Sequence, residues 1–465
     1  MLLSREDCQT IHAAALEVLR DVGVRVDDPA TVELLRQAGA TALAENVVSL
    51  PRTLVEWALA QCPRVVRFAD RAGSVREVSA EGGTLVFTGN ALYVTRGRER
   101  DELGAADLAE LSRIADRCDN VHGMVGTSVA DCPARARDFV GFRIMAANTA
   151  KHLRPCIYTP EGARLVLEMA QVLNGSTSLR ERPIVSTGFS ILSPLHWTAL
   201  ALSVFRETAG RGVPVMINSE PLAGATAPVT LAGCLVIGDA DVLSGLVINQ
   251  LLEPGRPCIY NLGFAHVMDM SSAMALTGAP ENALLQGAGA DLAHFHGLPS
   301  ASWMCTESTL SDEQAAFEKM ITGLAHAACG VNLIWGAGNL ESTLTMSREA
   351  LVMDNEIAGY FLRFQRGIPV DERSLALDLI KEVGLTADYL GTAHTLAHHR
   401  EVLSRPNLAF RNRRDIWLAK GGLDFAERAE QRVREILATE PVSYLSEEQA
   451  AELERLEKQG LAALG

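Results

Sequence analysis

Between residues 84 and 335 the chain alternates short apolar runs with longer stretches of helical spacing. The runs are Leu85–Thr88, Met124–Ser128, Cys156–Thr159, Ile184–Thr187, Val213–Ile217, Cys258–Asn261, Ala301–Cys305 and Leu333–Trp335. Each is too short for a helix and mostly apolar, as strands buried on both faces of a parallel sheet are. Helical patterns separate them near 105–118, 135–150, 161–173, 197–210, 228–252, 280–295 and 312–328, and Ser311-Asp-Glu-Gln314 reads as a capping box for the last. Eight such units over this span predict an α/β fold of the (β/α)8 TIM-barrel type, with its core at 81–345. A doubly wound open sheet also alternates. It usually needs fewer strands, and no Gly-x-Gly-x-x-Gly follows the first run.

The flanks read differently. Ile11, Ala14, Ala15, Val18 and Leu19 share one face of a helix over 5–22, which Gly23 stops. Helices near 29–38 and 52–61, the extended run Val47–Leu50 and an alternating stretch at 64–82 complete an α+β layer over 1–80, packed on the barrel. Residues 346–465 return to helical spacing, and Ser446-Glu-Glu-Gln449 caps the final helix. This C-terminal helical extension closes the barrel or forms the interface of a homo-oligomer.

Composition narrows the class. The 465 residues are 48% apolar and 21% charged, as in ordinary globular proteins. The net charge of −15 and the lack of a long basic stripe argue against nucleic acid as a partner. Nine dispersed cysteines without a Cys-x-x-Cys pair imply reduced thiols and a cytoplasmic location. The N-terminal Met-Leu-Leu-Ser-Arg-Glu-Asp lacks a signal-peptide pattern, and Asp239 and Asp241 interrupt the long apolar segment Leu231–Leu252, so no membrane span is expected.

In a barrel, chemistry sits at strand C-termini and the loops beyond them. Those positions hold Tyr93; Asn218 and Glu220; Tyr260, Asn261, Phe264 and His266; Trp303 and Glu307; and Trp335. Aromatics are 5% of the chain, yet several gather here. Trp and Tyr faces suit a quaternary ammonium ion, and Glu220 and Glu307 supply opposite charge. The competing reading is that the rings fill the barrel mouth and the glutamates are solvated. No metal is expected: His294-Phe-His296 and His398-His399 stand apart from any His-Glu-x-x-His or zinc-spaced Cys/His set. A Gly-x-Ser-x-Gly elbow is absent, and Gly336-Ala-Gly338 lacks the lysine of a phosphate loop.

The sequence resembles the trimethylamine methyltransferase family of corrinoid-dependent enzymes nearly end to end. The similarity begins at Ile11-His-Ala-Ala-Ala-Leu-Glu-Val-Leu-Arg-Asp-Val-Gly23. It is strongest in Ser193-Pro-Leu195, Gly224-Ala-Thr-Ala-Pro-Val-Thr-Leu-Ala-Gly233 and Pro254-Gly-Arg-Pro-Cys-Ile-Tyr260. Gly297-Leu-Pro299, Asp312-Glu-Gln-Ala315 and His394-Thr-Leu396 extend it. The resemblance implies a barrel that moves a methyl group from a methylated amine to the cobalt of a separate corrinoid protein. The family's trimethylamine enzymes carry pyrrolysine, whereas this chain has only standard residues. It reads Thr306-Glu307-Ser308 where relatives often have Thr-Asp-Ser, and Gly384-Leu-Thr-Ala387 in place of Gly-Pro-Gly-Gly. These departures point to the non-pyrrolysine branch, associated with quaternary amines such as glycine betaine, proline betaine and carnitine.

The chemistry agrees. A quaternary ammonium that loses a methyl departs as a neutral tertiary amine and needs no proton, so what the protein must supply is position. Trp303, Trp335, Tyr260 and Tyr93 are expected to cage the ammonium, with Glu220 and Glu307 as electrostatic support. Asn218, Asn261 or His266 is expected to bind a substrate carboxylate. Gly224, Ala225 and Thr226 would face the corrinoid. No Asp-x-His-x-x-Gly is present to ligate cobalt from below, so the cofactor is expected on the partner rather than bound permanently here. Two alternatives stand beside this one: a non-catalytic betaine-binding barrel, and a barrel lyase or hydrolase with Glu220 as general base.

Overall fold

The computed structural model describes residues 1–385 and 388–464. Of the Gly384–Ala387 stretch, Thr386 and Ala387 lie outside them. Eight parallel strands organise a mixed α/β fold: β1 (Leu85–Thr88), β2 (Gly123–Val125), β3 (His152–Arg154), β4 (Thr187–Ser190), β5 (Val215–Asn218), β6 (Cys258–Asn261), β7 (Ala301–Trp303) and β8 (Leu333–Ala337). One sheet runs β3-β2-β1-β8-β7 and a second runs β4-β5-β6. Isolated parallel bridges stand at both joints, Leu153 with Val185 and Tyr260 with Ser300.

Six of the strands fall on the apolar runs read from the sequence; β3 and β4 differ. The third run was expected at Cys156–Thr159, but the strand is His152–Arg154 and Thr159 instead caps the helix Pro160–Asn174. A strand with His and Arg on its inner face breaks the apolar pattern. The fourth strand lies at Thr187–Ser190, a few residues beyond the expected Ile184–Thr187.

Register decides which side chains face inward. Ser190, Asn218 and Asn261 stand side by side across β4, β5 and β6, and so do Phe189, Ile217 and Tyr260 one residue earlier. Successive residues point to opposite faces, so only one of these rows can face the interior. Met216, Ile259, Ala301, Leu333, Phe87 and Val125 share one interior cluster, whereas Phe189, Ile217 and Tyr260 pack in another, under the helices. The hairpin Val65–Ala69/Val75–Ser79 sends Val66, Phe68 and Val78 into the interior cluster, with Phe68 5.8 Å from Phe87 and 5.0 Å from His152. It closes the N-terminal end of the strands and leaves the C-terminal end to the loops.

Helices α1 (Arg5–Asp21), α2 (Arg52–Gln61), α3 (Leu231–Leu252), α4 (Pro280–Phe295), α5 (Glu313–Ala328) and α6 (Arg348–Gln365) belong to the outer layer. By length and composition α3 could cross a membrane, but it packs inside the fold against α1 and α2, and Asp239 and Asp241 on it are fully buried. Each aspartate is a junction. Asp239 accepts from the Tyr260 hydroxyl at 2.8 Å and meets His12 and His296 at 3.3 and 3.2 Å. Asp241 accepts from Ser193 Oγ, Leu195 N and Ser219 Oγ at 2.5, 2.8 and 2.9 Å, anchoring the Ser193-Pro-Leu195 segment. Between α5 and α6, Lys319 and Asp354 form a buried ion pair, and Asp354 also accepts from Gly338 N at 2.6 Å.

Beyond α6, helix Phe425–Leu437 returns to pack on α6. The intervening helices Glu372–Leu375, Leu377–Val383 and Ala393–Val402 bury no residue, and Ile368, Val370, Leu385 and Leu390 are 78–104% exposed.

Candidate active site at the C-terminal ends of the strands

Trp303 ends β7 and Trp335 lies in β8, paired directly across the sheet. Both are at most 3% exposed, and their rings meet edge to face at 5.3 Å and 71°. Phe264, on the loop after β6, closes the group: its ring lies 4.9 Å from Trp303 and 5.6 Å from Trp335. Half-buried Phe264 is the side of the cluster that water reaches. The indole Nε1 of each tryptophan is buried without a hydrogen-bond partner among the described residues. Buried indoles ordinarily find one, so these two N–H groups leave donors available within the site.

The polar side of the same end is built from β3 to β6. Asn261 Nδ2 donates to Asn218 Oδ1 at 2.7 Å, and Asn218 Nδ2 donates to Ser190 Oγ at 3.3 Å. Arg154, ending β3, places its guanidinium carbon 4.8 Å from the centroid of the Trp335 ring. Burial lowers the Arg154 guanidinium from its ordinary range. Glu220, just past β5, is exposed to water, yet the protein crowds its carboxyl from most sides. This desolvation raises its pKa, against a hydrogen bond with Ser190 that lowers it.

Several expected members stand elsewhere. Tyr260 faces away from the interior: it belongs to the outward row and its hydroxyl is engaged by Asp239, so it forms no part of an ammonium cage. Tyr93 sits on the peripheral strand Tyr93–Arg96, where Arg100 already covers its ring at 4.3 Å. His266 is held by Asn282 at 3.0 Å, and burial pushes its imidazole down to about 4. It is therefore neutral near pH 7 and lacks the charge for pairing with a carboxylate. Glu307 is not a second free carboxylate: its Oε1 accepts from Thr277 N, from Thr277 Oγ1 at 2.8 Å and from Gly278 N at 2.7 Å. Gly224, Ala225 and Thr226 form a tight rim turn. Leu222 O accepts from Ala225, Thr226 and Ala227, and Gly224 takes φ +93°, which favours glycine.

Arg154 and Phe264 complete the site without having been expected in it. Phe264 was visible as a strand-end aromatic; Arg154 was hidden by the misplaced third strand. His12, Asp239 and His296 have ligand atoms within 4.8 Å of one another, a spacing a metal ion could bridge. Asp239 already links the two imidazoles, and the group lies under α1 rather than at the strand ends.

A family model described as trimethylamine methyltransferase (MTTB) matches residues 1–459. The trimethylamine methyltransferase MttB of Desulfitobacterium hafniense (strain DSM 10664 / DCB-2) is 32% identical over 460 residues, covering 97% of this chain and 92% of the relative. MttB of Methanosarcina barkeri is 31% identical and covers 95% and 91%. A glycine betaine methyltransferase of Desulfitobacterium hafniense (strain Y51) is 31% identical and covers 94% and 92%. Among solved structures, the Methanosarcina barkeri monomethylamine methyltransferase MtmB superposes with a TM-score of 0.53 at 12% identity, over 92% of this chain and 87% of that one. A structure of a hydroxylamine MtmB complex gives 0.54 at 13% identity, over 97% and 87%. At these identities the structural likeness concerns the fold, while the family model and the relatives span nearly the whole sequence. The chain belongs to the trimethylamine methyltransferase (MTTB) family.

Proposed function

We propose that the protein transfers a methyl group from a quaternary amine, glycine betaine or a related betaine, to the cobalt of a corrinoid carried by a separate protein. The observation that carries this reading is the Trp303–Trp335–Phe264 cluster, standing at the strand ends with exposed Glu220 among the neighbouring strand-end residues. Aromatic faces and a carboxylate are what a methylated ammonium requires, at about 0.5–2 kcal/mol per cation–π contact. The two bridges between the sheets support a closed (β/α)8 barrel, whose open mouth would be this site. On that scaffold 1–80 would form the N-terminal layer, 81–345 the barrel and 346–465 the helical extension.

The corrinoid, reduced to cobalt(I), supplies the nucleophile when its carrier docks. The fit rests on the rim: beside the Gly224 turn, Val229 and Met270 are 69% and 72% exposed, an apolar border suited to a protein partner. The chain's own residues act by placement. Trp303, Trp335 and Phe264 would hold the ammonium and keep water from it; Glu220 would offset its charge. Because the amine departs neutral, no side chain has to donate a proton. This separates the reading from a lyase or hydrolase, for which Glu220 would need an acid partner that Glu307, bound to the Thr277–Gly278 backbone, does not provide. The exposed apolar side chains of 368–390 support assembly into a homo-oligomer, and a cytoplasmic location goes with the corrinoid partner. Incubating the protein with a reduced corrinoid carrier and glycine betaine tests the proposal: dimethylglycine should accumulate one-for-one with the loss of cobalt(I) absorbance.

A further inference from the structure

Among the described residues four lysines or arginines are buried: Arg154, Arg256, Lys319 and Arg348. Three have carboxylates. Lys319 pairs with Asp354 at 2.5 Å, Arg348 with Asp107 at 2.6 Å, and Arg256 has Glu253 at 3.8 Å together with Val213 O and Thr208 Oγ1 at 3.0 Å. Arg154 has none. Its polar contacts are Pro155 O at 3.4 Å and the neighbouring Cys156 thiol, and its Nε is buried without a partner. A buried cation without a counter-ion is costly to keep, so an anion that arrives from outside is the natural partner.

The backbone beside it makes room for the guanidinium. Residue 188 on β4 is glycine, and a Cβ there would collide with Arg154 Nη2 and lie 3.4 Å from Asn218 Nδ2. Two nitrogen donors from β3 and β5 therefore converge on the bare backbone of β4. Gly188 is half-buried and Ser190, two residues on, is exposed, so the spot opens toward the strand ends. The aromatic cluster begins at once on the other side, since Arg154 also covers Trp335.

We propose that Arg154 Nη2 and Asn218 Nδ2, meeting over Gly188, form a carboxylate-binding notch that selects zwitterionic N-methylated amino acids over simple methylated amines. This rests on the reading of the site as a quaternary-amine site and adds the group that fixes the substrate's other end. A carboxylate on the notch, one or two carbons from an ammonium on the aromatic faces, would hold the molecule at two points and orient its methyl groups. A substrate with only a positive charge would instead face an uncompensated guanidinium.

Calorimetry on the full chain tests the notch without the corrinoid partner, using glycine betaine and choline, which share a trimethylammonium and differ in the carboxylate. Glycine betaine should bind about 30-fold or more tighter than choline, a margin typical of a charge-assisted pair. Arg154→Gln should abolish that margin, weakening glycine betaine by loss of the charge-assisted pair and strengthening choline by removing the cation that repels it. Because removing an unpaired buried cation relieves the fold, R154Q should melt no lower than the parent. Gly188→Ala, whose methyl displaces the guanidinium, should weaken glycine betaine and spare choline. Equal binding of the two ligands by the parent, no binding of glycine betaine, or an unchanged margin in a folded R154Q would overturn the notch. Methyl transfer is read separately. Transfer from choline or tetramethylammonium as readily as from glycine betaine leaves the methyltransferase reading standing and sinks the notch. Discriminating binding with no transfer from any amine does the reverse.

Discussion

The guanidinium of Arg154 stacks on the indole of Trp335, its carbon 4.8 Å from the ring centroid. One protein cation therefore already occupies part of the aromatic surface at the strand ends. A second positive charge placed about 5 Å from it would be repelled by about 3 kcal/mol at an effective dielectric of ~20. Any cationic substrate has to bring its own negative charge or lean on Glu220. Among the described residues no arginine covers the Trp303 ring, so on the proposed reading it is the face left for the ammonium. Trp303→Leu should raise KM for glycine betaine by about tenfold with a smaller change in kcat, as steady-state kinetics with the corrinoid carrier would show. An unchanged KM would remove the cage.

Glu220 links the site to pH. Its carboxyl is raised by crowding, so it takes up a proton above the ordinary glutamate value of about 4.3. Ammonium binding should weaken as pH falls through that raised value. Glu220→Gln should remove the inflection and lower methyl transfer by about tenfold or more. The sign for stability is opposite: a carboxyl with a raised folded-state pKa loses its contribution as pH rises through that value. E220Q should therefore be no less stable at pH 7. A pH series of betaine affinity, paired with melting curves, checks both halves.

Much of this architecture is legible in the sequence, and each failure has its own physical cause. Apolar runs located six of eight strands because those strands bury hydrophobic residues on both faces. The third strand was misread because its inward residues, His152 and Arg154, are polar. His152 is satisfied within the core by Ala69 O and Ser186 Oγ, whereas Arg154 reaches the aromatic cluster at the strand ends, and neither carries the apolar signal of a buried strand. Tyr260 was misassigned by the converse error: with Asn261 facing inward, strand alternation forces its neighbour outward. Spacing alone could have settled that. Glu307 looked available because its three donors come from Thr277 and Gly278, thirty residues away in sequence and visible only in the fold.

Asp239 holds α1 to the rest of the molecule through His12, His296 and Tyr260. Its partners keep the carboxyl well below its ordinary range. Asp239→Asn should cost about 3 kcal/mol or more at pH 7, read from urea unfolding. A depressed pKa contributes stability above the unfolded value of about 3.9 and loses it as pH falls, so the gap between parent and variant should narrow in acid. A constant gap would mean that packing, not charge, is what Asp239 supplies.

The buried Lys319–Asp354 pair offers a control away from the chemistry. Lys319→Met alone strands a buried carboxylate and should destabilise by about 3–5 kcal/mol. Adding Asp354→Asn keeps an acceptor for Gly338 N and should recover much of the loss. In the double variant glycine betaine affinity should stay within about twofold of the parent. Chemical denaturation and calorimetry on the same samples decide it.

Ile368, Val370, Leu385 and Leu390 stand in water on a segment whose helices bury nothing within the chain. Patches of this kind mark association surfaces. Replacing Ile368 and Val370 with Ser should shift the protein toward monomer in sedimentation-velocity runs without lowering its melting temperature. Identical sedimentation of the two proteins would exclude this segment from the interface.

The most direct test of the whole account is methyl transfer itself. The protein, a reduced corrinoid carrier and glycine betaine are combined without oxygen, and dimethylglycine is quantified against the decay of cobalt(I) absorbance. The account predicts one dimethylglycine per cobalt consumed, with the rate reduced about tenfold or more in W303L and E220Q. Cobalt(I) that persists with every betaine tried, while the same carrier accepts methyl groups from another enzyme, would contradict it.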